Sequence, residues 1–129
     1  MTFEIFYGLE HLKRIETCTE IAFDCETTQL QPVRGGLRLI QLGCMARETI
    51  VLIDAWDLLE KGWEEIKRFA TNGDRYWLAH NAQFDLAWLA EHDVHLRGHI
   101  GDTARNCVRI RLVMSVGPKF DRRELKTYT

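Results

Sequence analysis

The sequence has little proline and no long apolar run, and the lack of such a run argues against a membrane-spanning helix. Its 129 residues include only two prolines, and no stretch approaches the roughly 20 apolar residues that span a bilayer. The N-terminus lacks a basic stretch followed by an apolar one, so we expect no secretory signal and a cytoplasmic location. The composition, 46% hydrophobic and 28% charged, is typical of a globular protein, and the length suits a single domain over residues 1–129.

Signatures of several kinds of site are also missing. The four cysteines form no Cys-x-x-Cys pair, so neither a structural zinc site nor a disulfide framework is predicted. We expect reduced, partly buried thiols instead. The sequence contains no glycine-rich phosphate loop and no Ser/His/Asp arrangement.

Charge is unevenly distributed along the chain. The formal net charge is −2, but residues 97–129 hold 8 Lys and Arg against 3 Asp and Glu. This basic end is either a phosphate-binding face or a solvated tail, because residues clustered in sequence need not be clustered in space. It includes Arg105, Arg109, Arg111, Lys119, Arg122, Arg123 and Lys126.

The apolar pattern predicts strands first and then alternating helices and strands. Strands are predicted over 20–26, 37–44, 49–53 and 76–79, an extended piece over 97–101, and helices over 56–70, 82–91 and 102–114. Asn81 and Asp102 are candidate N-caps for the last two helices. A three-strand antiparallel meander followed by alternating elements predicts an α/β fold with a mixed sheet and flanking helices.

The first candidate site is the acidic pair in the strand Glu20–Glu26. Residues two apart in a strand point to the same face, so Asp24 and Glu26 project together. Adjacent carboxylates repel unless a cation or proton lies between them, and Mg²⁺ often takes one or two protein carboxylates. Asp-x-Glu is common, however, and by itself also fits a solvent-facing strand end.

The second candidate site follows the strand 76–79. Asn81 and Asp85 lie four residues apart at the start of a helix, on one face. The positive end of that helix favours a carboxylate and an anionic ligand. Asp85 stands among apolar residues, including Phe84 and Trp88, and an acid in such surroundings needs a cation or strong donors.

These two segments resemble the motifs of a known enzyme family. Phe-Asp-Cys-Glu-Thr-Thr with the following Leu-Arg-Leu-Ile-Gln-Leu, and Ala-His-Asn-Ala-Gln-Phe-Asp-Leu-Ala-Trp-Leu, resemble the first two motifs of DEDD 3′→5′ exonucleases. The pattern is most similar to proofreading domains of family A DNA polymerases and to ribonuclease D, over about residues 18–115. The resemblance implies a ribonuclease H-like fold and hydrolysis of 3′-terminal phosphodiesters, with DNA as the first expectation and RNA as the alternative.

The resemblance also implies roles for individual residues. Asp24, Glu26 and Asp85 match the catalytic, metal-binding acids of a site that uses two Mg²⁺ or Mn²⁺ ions about 4 Å apart. Thr27, Leu30 and Asn81 match positions that contact the terminal nucleotide. Asp102 matches a junction aspartate that is usually structural.

One motif of the family is not found. The family has a third motif, a Tyr or His followed by the fourth acid, and neither Asp121 nor Tyr128 fits it. We therefore expect a C-terminally truncated domain with an incomplete two-ion site that is weak or inactive in isolation. Three explanations stay open: a split enzyme completed by a polymerase fragment or second chain, a non-catalytic nucleic-acid-binding or polymerase-associated module, or a homo-oligomer that supplies groups in trans.

Two further groups of residues have ordinary structural interpretations. His92, His95 and His99, near Asp93, could form a transition-metal cluster but fit a polar surface loop better. The four tryptophans could stack nucleic-acid bases, but their positions favour anchors in the core: Trp56, Trp63, Trp77 and Trp88.

Overall fold

The computed structural model describes residues 2–33 and 35–104 in full, and the backbone of residues 105 and 108–111. Among these residues, no helix is long and apolar enough to cross a membrane.

A seven-stranded mixed sheet forms the centre of the molecule, in the order β1-β4-β3-β2-β5-β6-β7. The antiparallel meander β2-β3-β4 lies in its middle, β1 adds parallel to β4, β5 and β6 add parallel to β2 and to each other, and β7 runs antiparallel to β6. The strands are β1 (Glu4–Tyr7), β2 (Glu20–Thr27), β3 (Leu37–Cys44), β4 (Thr49–Asp54), β5 (Arg75–Ala79), β6 (Gly98–Asp102) and β7 (Val108–Arg111).

Two α-helices pack on one face of this sheet. They are α1 (Glu60–Thr71) and α2 (Ala82–Glu91), and short 3₁₀ helices cover Leu9–Arg14, Met45–Arg47, Ala55–Asp57 and Thr103–Arg105. Burial alternates along β2, so Ile21, Phe23 and Cys25 face the core and the residues between them are exposed. Asp24 and Glu26 therefore project from the face opposite the helices.

The sequence pattern predicts most of this architecture. The mixed sheet with its meander is confirmed, and the observed strands and two helices lie within a few residues of the predicted ones. The short strand β1 was not predicted, because its four residues, three of them exposed, give no clear alternation. The predicted helix over 102–114 is wrong where the chain is described: only Thr103–Arg105 is helical, and Val108–Arg111 pairs with β6 as a strand.

The expectation of reduced thiols is also wrong for two cysteines. Cys18, just before β2, forms a disulfide with Cys44 at the end of β3, whereas Cys25 is free and buried. The sequence spacing gave no sign of this pair, because the antiparallel pairing of β2 with β3 brings two distant residues together. Cys107 lies outside the described residues.

Candidate active site

The candidate site lies where β2 separates from β5. The two strands are paired only from Glu20 to Ala22 of β2, opposite Tyr76 to Leu78 of β5. Beyond Ala22, the pairing of β2 with β5 ends, whereas its pairing with β3 continues. The site therefore lies at the carboxyl ends of two parallel strands, which is where open α/β sheets bind ligands.

Asp85 lies at this site, on the first turn of α2. Its Oδ1 accepts a hydrogen bond from the backbone N–H of Cys25 at 3.3 Å, and the same N–H donates to Oδ1 of Asp24 at 3.0 Å. Asp85 is 2% exposed, whereas Asp24 is exposed to solvent. A strand carboxylate and a helix carboxylate thus approach one donor although they are 61 positions apart in sequence.

This position makes the charge on Asp85 costly. Burial, the nearby Asp24 charge and the charge of Asp102 raise the pKa of Asp85 to about 7, while the Cys25 hydrogen bond acts in the opposite direction. Burial, together with the charges of Asp85 and Asp24, also raises the pKa of the Cys25 thiol well above its usual value. A cation bound between Asp24 and Asp85 would offset the repulsion between their charges.

The donor set fits a divalent metal. Oδ2 of Asp85 is buried and has no hydrogen-bond partner among the described residues. An unpaired carboxylate oxygen beside a second carboxylate is the arrangement that Mg²⁺ accepts, since it often uses one or two protein carboxylates and keeps several waters. No group of three or more His, Cys, Asp and Glu side chains is already gathered for a metal within the described residues. Glu26, the third predicted ligand, instead has its Oε1 3.5 Å from Nε2 of Gln41.

The amino end of α2 differs from the sequence-based expectation. Asn81 occupies the N-cap position in a left-handed conformation (φ 62°), but its side chain makes no capping hydrogen bond. The backbone N–H groups of Asn81 and Ala82 instead donate to the two carboxylate oxygens of Asp102, at the end of β6. These two amides are therefore not free to bind a phosphate, although the sequence predicted that this helix end would favour an anionic ligand. Asp102 was expected to cap the following helix, and there it accepts from Ala104 N–H in the 3₁₀ turn.

Two of the predicted nucleotide contacts lie at the end of β2 and in the loop that follows it. Thr27 ends β2 just after a break in its register with β3, and its hydroxyl donates to the carbonyl of Gln29. Leu30 is 79% exposed in the loop that leads to β3. That loop returns over α2, where a Cβ on Gly36 would lie 2.6 Å from the ring of Trp88. This loop therefore packs closely against α2.

The predicted histidine cluster, the tryptophans and the basic end have other surroundings. His95 pairs with Asp93 within the loop, whereas His92 stacks on Trp63 of α1. Trp77 and Trp88 are fully buried anchors as expected, whereas Trp56 is 57% exposed, beneath the guanidinium of Arg38. The side chains of the basic end from Arg105 onward lie outside the described part of the chain.

Comparison with known proteins identifies the family of this site. Residues 8–112 match the family model described as 3′-5′ exonuclease. The chain belongs to the 3′-5′ exonuclease family. The motifs around Asp24 and Asp85 suggested membership of the DEDD 3′→5′ exonucleases, and this family assignment is confirmed.

Solved structures of other proteins share this fold. Escherichia coli RNase D superposes with a TM-score of 0.62 at 20% identity, over 80% of this chain and 28% of that one. Trypanosoma brucei RNase D gives 0.63 at 19% identity, over 77% and 38%. Brucella melitensis NrnC with bound Mg²⁺ gives 0.57 at 22% identity, over 80% and 50%. At these identities the likeness establishes the fold. The chain spans between 28% and 50% of the length of these proteins, and the search of curated proteins gave no significant sequence match.

Proposed function

We propose that this chain removes nucleotides from the 3′ end of single-stranded nucleic acid, with Mg²⁺ or Mn²⁺ held by Asp24, Glu26 and Asp85. One observation carries the proposal. Asp24 and Asp85 converge on the Cys25 amide, and the second oxygen of Asp85 is buried without a partner. A purely structural aspartate at this depth would have both oxygens satisfied.

The residues of the chain divide the work in a definite way. The Cys25 N–H fixes the orientation of both carboxylates, so that one oxygen of each is engaged and the others are available to a cation. Glu26, two residues along the same strand face, extends the acidic surface toward Gln41. A bound metal supplies stabilisation of the charge that develops on the phosphate and lowers the pKa of the attacking water. We infer from the motif resemblance that Thr27, Leu30 and Asn81 contact the terminal nucleotide.

Single-stranded DNA is the first proposed substrate, with RNA as the second candidate. The motifs resemble those of proofreading exonucleases, which supports DNA. RNA is favoured by the structural neighbours, since E. coli RNase D is described as an exoribonuclease involved in structured RNA processing. Discrimination depends on contacts with the 2′-hydroxyl.

A paired digestion experiment tests both activity and substrate. DNA and RNA oligonucleotides of the same sequence, labelled at the 5′ end, are incubated with Mg²⁺, Mn²⁺ or EDTA. The proposal predicts a metal-dependent ladder shortened from the 3′ end, lost in Asp24→Asn and Asp85→Asn and kept in Asp74→Asn, a surface carboxylate paired with Arg97. Digestion that persists in EDTA or in both active-site variants would overturn it.

The same experiment addresses the non-catalytic alternative. A chain that binds Mn²⁺ and single strands without cutting them would instead be a binding module. Restoration of digestion by an added polymerase fragment or other second chain would support completion in trans, and activity that rises steeply with protein concentration would support a homo-oligomer.

A further inference from the structure

Asp102 is a buried acid outside the predicted metal site whose hydrogen bonds hold a neighbouring element. It is 0% exposed and ends β6. Its Oδ1 accepts from Asn81 N–H and its Oδ2 from Ala82 N–H, both at 2.9 Å. These are the amides of the N-cap and of the first residue of α2, which have no partner within the helix. Asp102 satisfies both of them from a different strand, and the Asn81 side chain makes no capping hydrogen bond.

The helix turn that Asp102 holds is the one that carries Asp85. Asp85 lies three residues beyond Ala82, so the two are within one turn of α2. The contact between Asp85 and Cys25 N–H, at 3.3 Å, is near the upper end of hydrogen-bond distances. A small rotation or slide of this first turn would therefore break it. Asp102 pairs in register with Ala79, the last residue of β5, and so belongs to the rigid sheet.

We propose that Asp102 is a positioning residue for the exonuclease site: it fixes the first turn of α2 to the sheet so that Asp85 is held against β2 in a metal-binding position. This proposal rests on the proposed function, which assigns Asp85 as a metal ligand. A carboxylate suits the task because its two oxygens bind two successive amides and its charge complements the positive end of the helix. An asparagine offers only one acceptor oxygen.

Metal affinity separates positioning from simple stabilisation. Groups that orient a ligand typically change metal affinity by about 10–100-fold when they are replaced. We expect Asp102→Asn and Asp102→Ala to weaken Mn²⁺ binding by about 10-fold or more in calorimetry, with the larger loss in Asp102→Ala. The control is Ile66→Val, which shortens a buried side chain of α1 and should lower the thermal midpoint while leaving Mn²⁺ affinity unchanged. An equal loss of affinity in the control, or wild-type affinity in both Asp102 variants, would overturn the proposal.

A second measurement needs neither metal nor activity. The amide resonance of Cys25 in ¹⁵N-labelled, metal-free protein reports whether Asp85 still accepts its hydrogen bond. Asp85→Asn, which removes the carboxylate charge at this contact, provides the reference shift. Asp102→Asn should move the Cys25 resonance toward that reference, and Ile66→Val should not.

The two measurements distinguish the two proposals. Wild-type protein that fails to bind Mn²⁺ contradicts the proposed function, while the Cys25 resonance still decides the role of Asp102. An unchanged Cys25 resonance in folded Asp102→Asn would show that Asp85 is positioned without Asp102. If Asp102→Ala fails to fold, the isosteric Asp102→Asn carries both measurements.

Discussion

Asp24 and Asp85 accept hydrogen bonds from the same backbone amide, that of Cys25, although one stands on a strand and the other on a helix. A single N–H between two carboxylates compensates only part of their repulsion, and it leaves Oδ2 of Asp85 buried without a partner. The metal-free site is therefore electrostatically unfavourable when both groups are ionised. The predictions about pH and metal binding depend on this relationship.

The metal-free protein should lose stability as the pH rises toward neutral. Burial foremost, and then the Asp24 charge, raise the pKa of Asp85 to about 7, above the unfolded value of 3.8. The folded state therefore holds its proton to higher pH than the unfolded state, so this contribution is full below the unfolded pKa and is lost as the pH rises through the folded one. Urea unfolding in EDTA should give a free energy about 2–3 kcal/mol lower near pH 8 than near pH 5.

Variants isolate the group responsible for this pH dependence. Asp85→Asn should remove most of the fall between acid and neutral pH. Asp54→Asn should leave the fall in place, because the hydrogen bond from Arg38 lowers the pKa of Asp54 rather than raising it. A fall that is undiminished in Asp85→Asn would show that another group is responsible.

Divalent metal should stabilise the folded protein through the same carboxylates. Binding to the folded state alone adds about 2.7 kcal/mol when free metal is at a hundredfold excess over Kd. Thermal unfolding near neutral pH with and without Mg²⁺ measures this gain. We expect it to be largely lost in Asp24→Asn and Asp85→Asn and retained in Asp74→Asn. Equal stabilisation of all four proteins would mean that metal binds elsewhere.

The Cys18–Cys44 disulfide should be detectable and stabilising. It closes a loop across a sequence separation of 26, for which the chain-entropy model predicts about 3 kcal/mol. Alkylation of unreduced, denatured protein followed by mass measurement should label two fewer cysteines than after reduction, and reductant should lower the free energy of unfolding. Labelling of all four cysteines without reductant would instead restore the expectation of free thiols.

Gly98 should tolerate substitution far less than Gly73, although both adopt positive φ angles. Gly98 has φ 126°, and a Cβ there would collide with the backbone of Arg75 in the neighbouring strand. Gly73 has φ 88°, and a Cβ there would meet no atom within 4 Å. Gly98→Ala should cost about 3 kcal/mol or more and Gly73→Ala about 1 kcal/mol, measured by urea unfolding. Similar losses at the two positions would contradict the close approach of β5 to β6.

The local sequence pattern predicted most of the helices and strands correctly. It failed where the conformation of a segment depends on pairing with residues that are distant in sequence. The alternation in β2 and the apolar stripe of α1 are properties of neighbouring residues, and both elements were predicted from them. The residues of β7 instead lie where a helix was predicted, and their strand conformation comes from pairing with β6. The Cys18–Cys44 bond depends in the same way on the register of β2 and β3.

The sequence by itself determined the kinds of residue available to this exonuclease-family site: two acids on one strand face, and a third acid at a helix start among apolar neighbours. Only the tertiary structure decided that Asp24 and Asp85 share the Cys25 amide, and that Asp102 satisfies the first amides of α2. The physical reason is that side-chain type and spacing are encoded locally. Which donor meets which acceptor depends instead on where β2 separates from β5 and on how α2 is fixed to the end of β6.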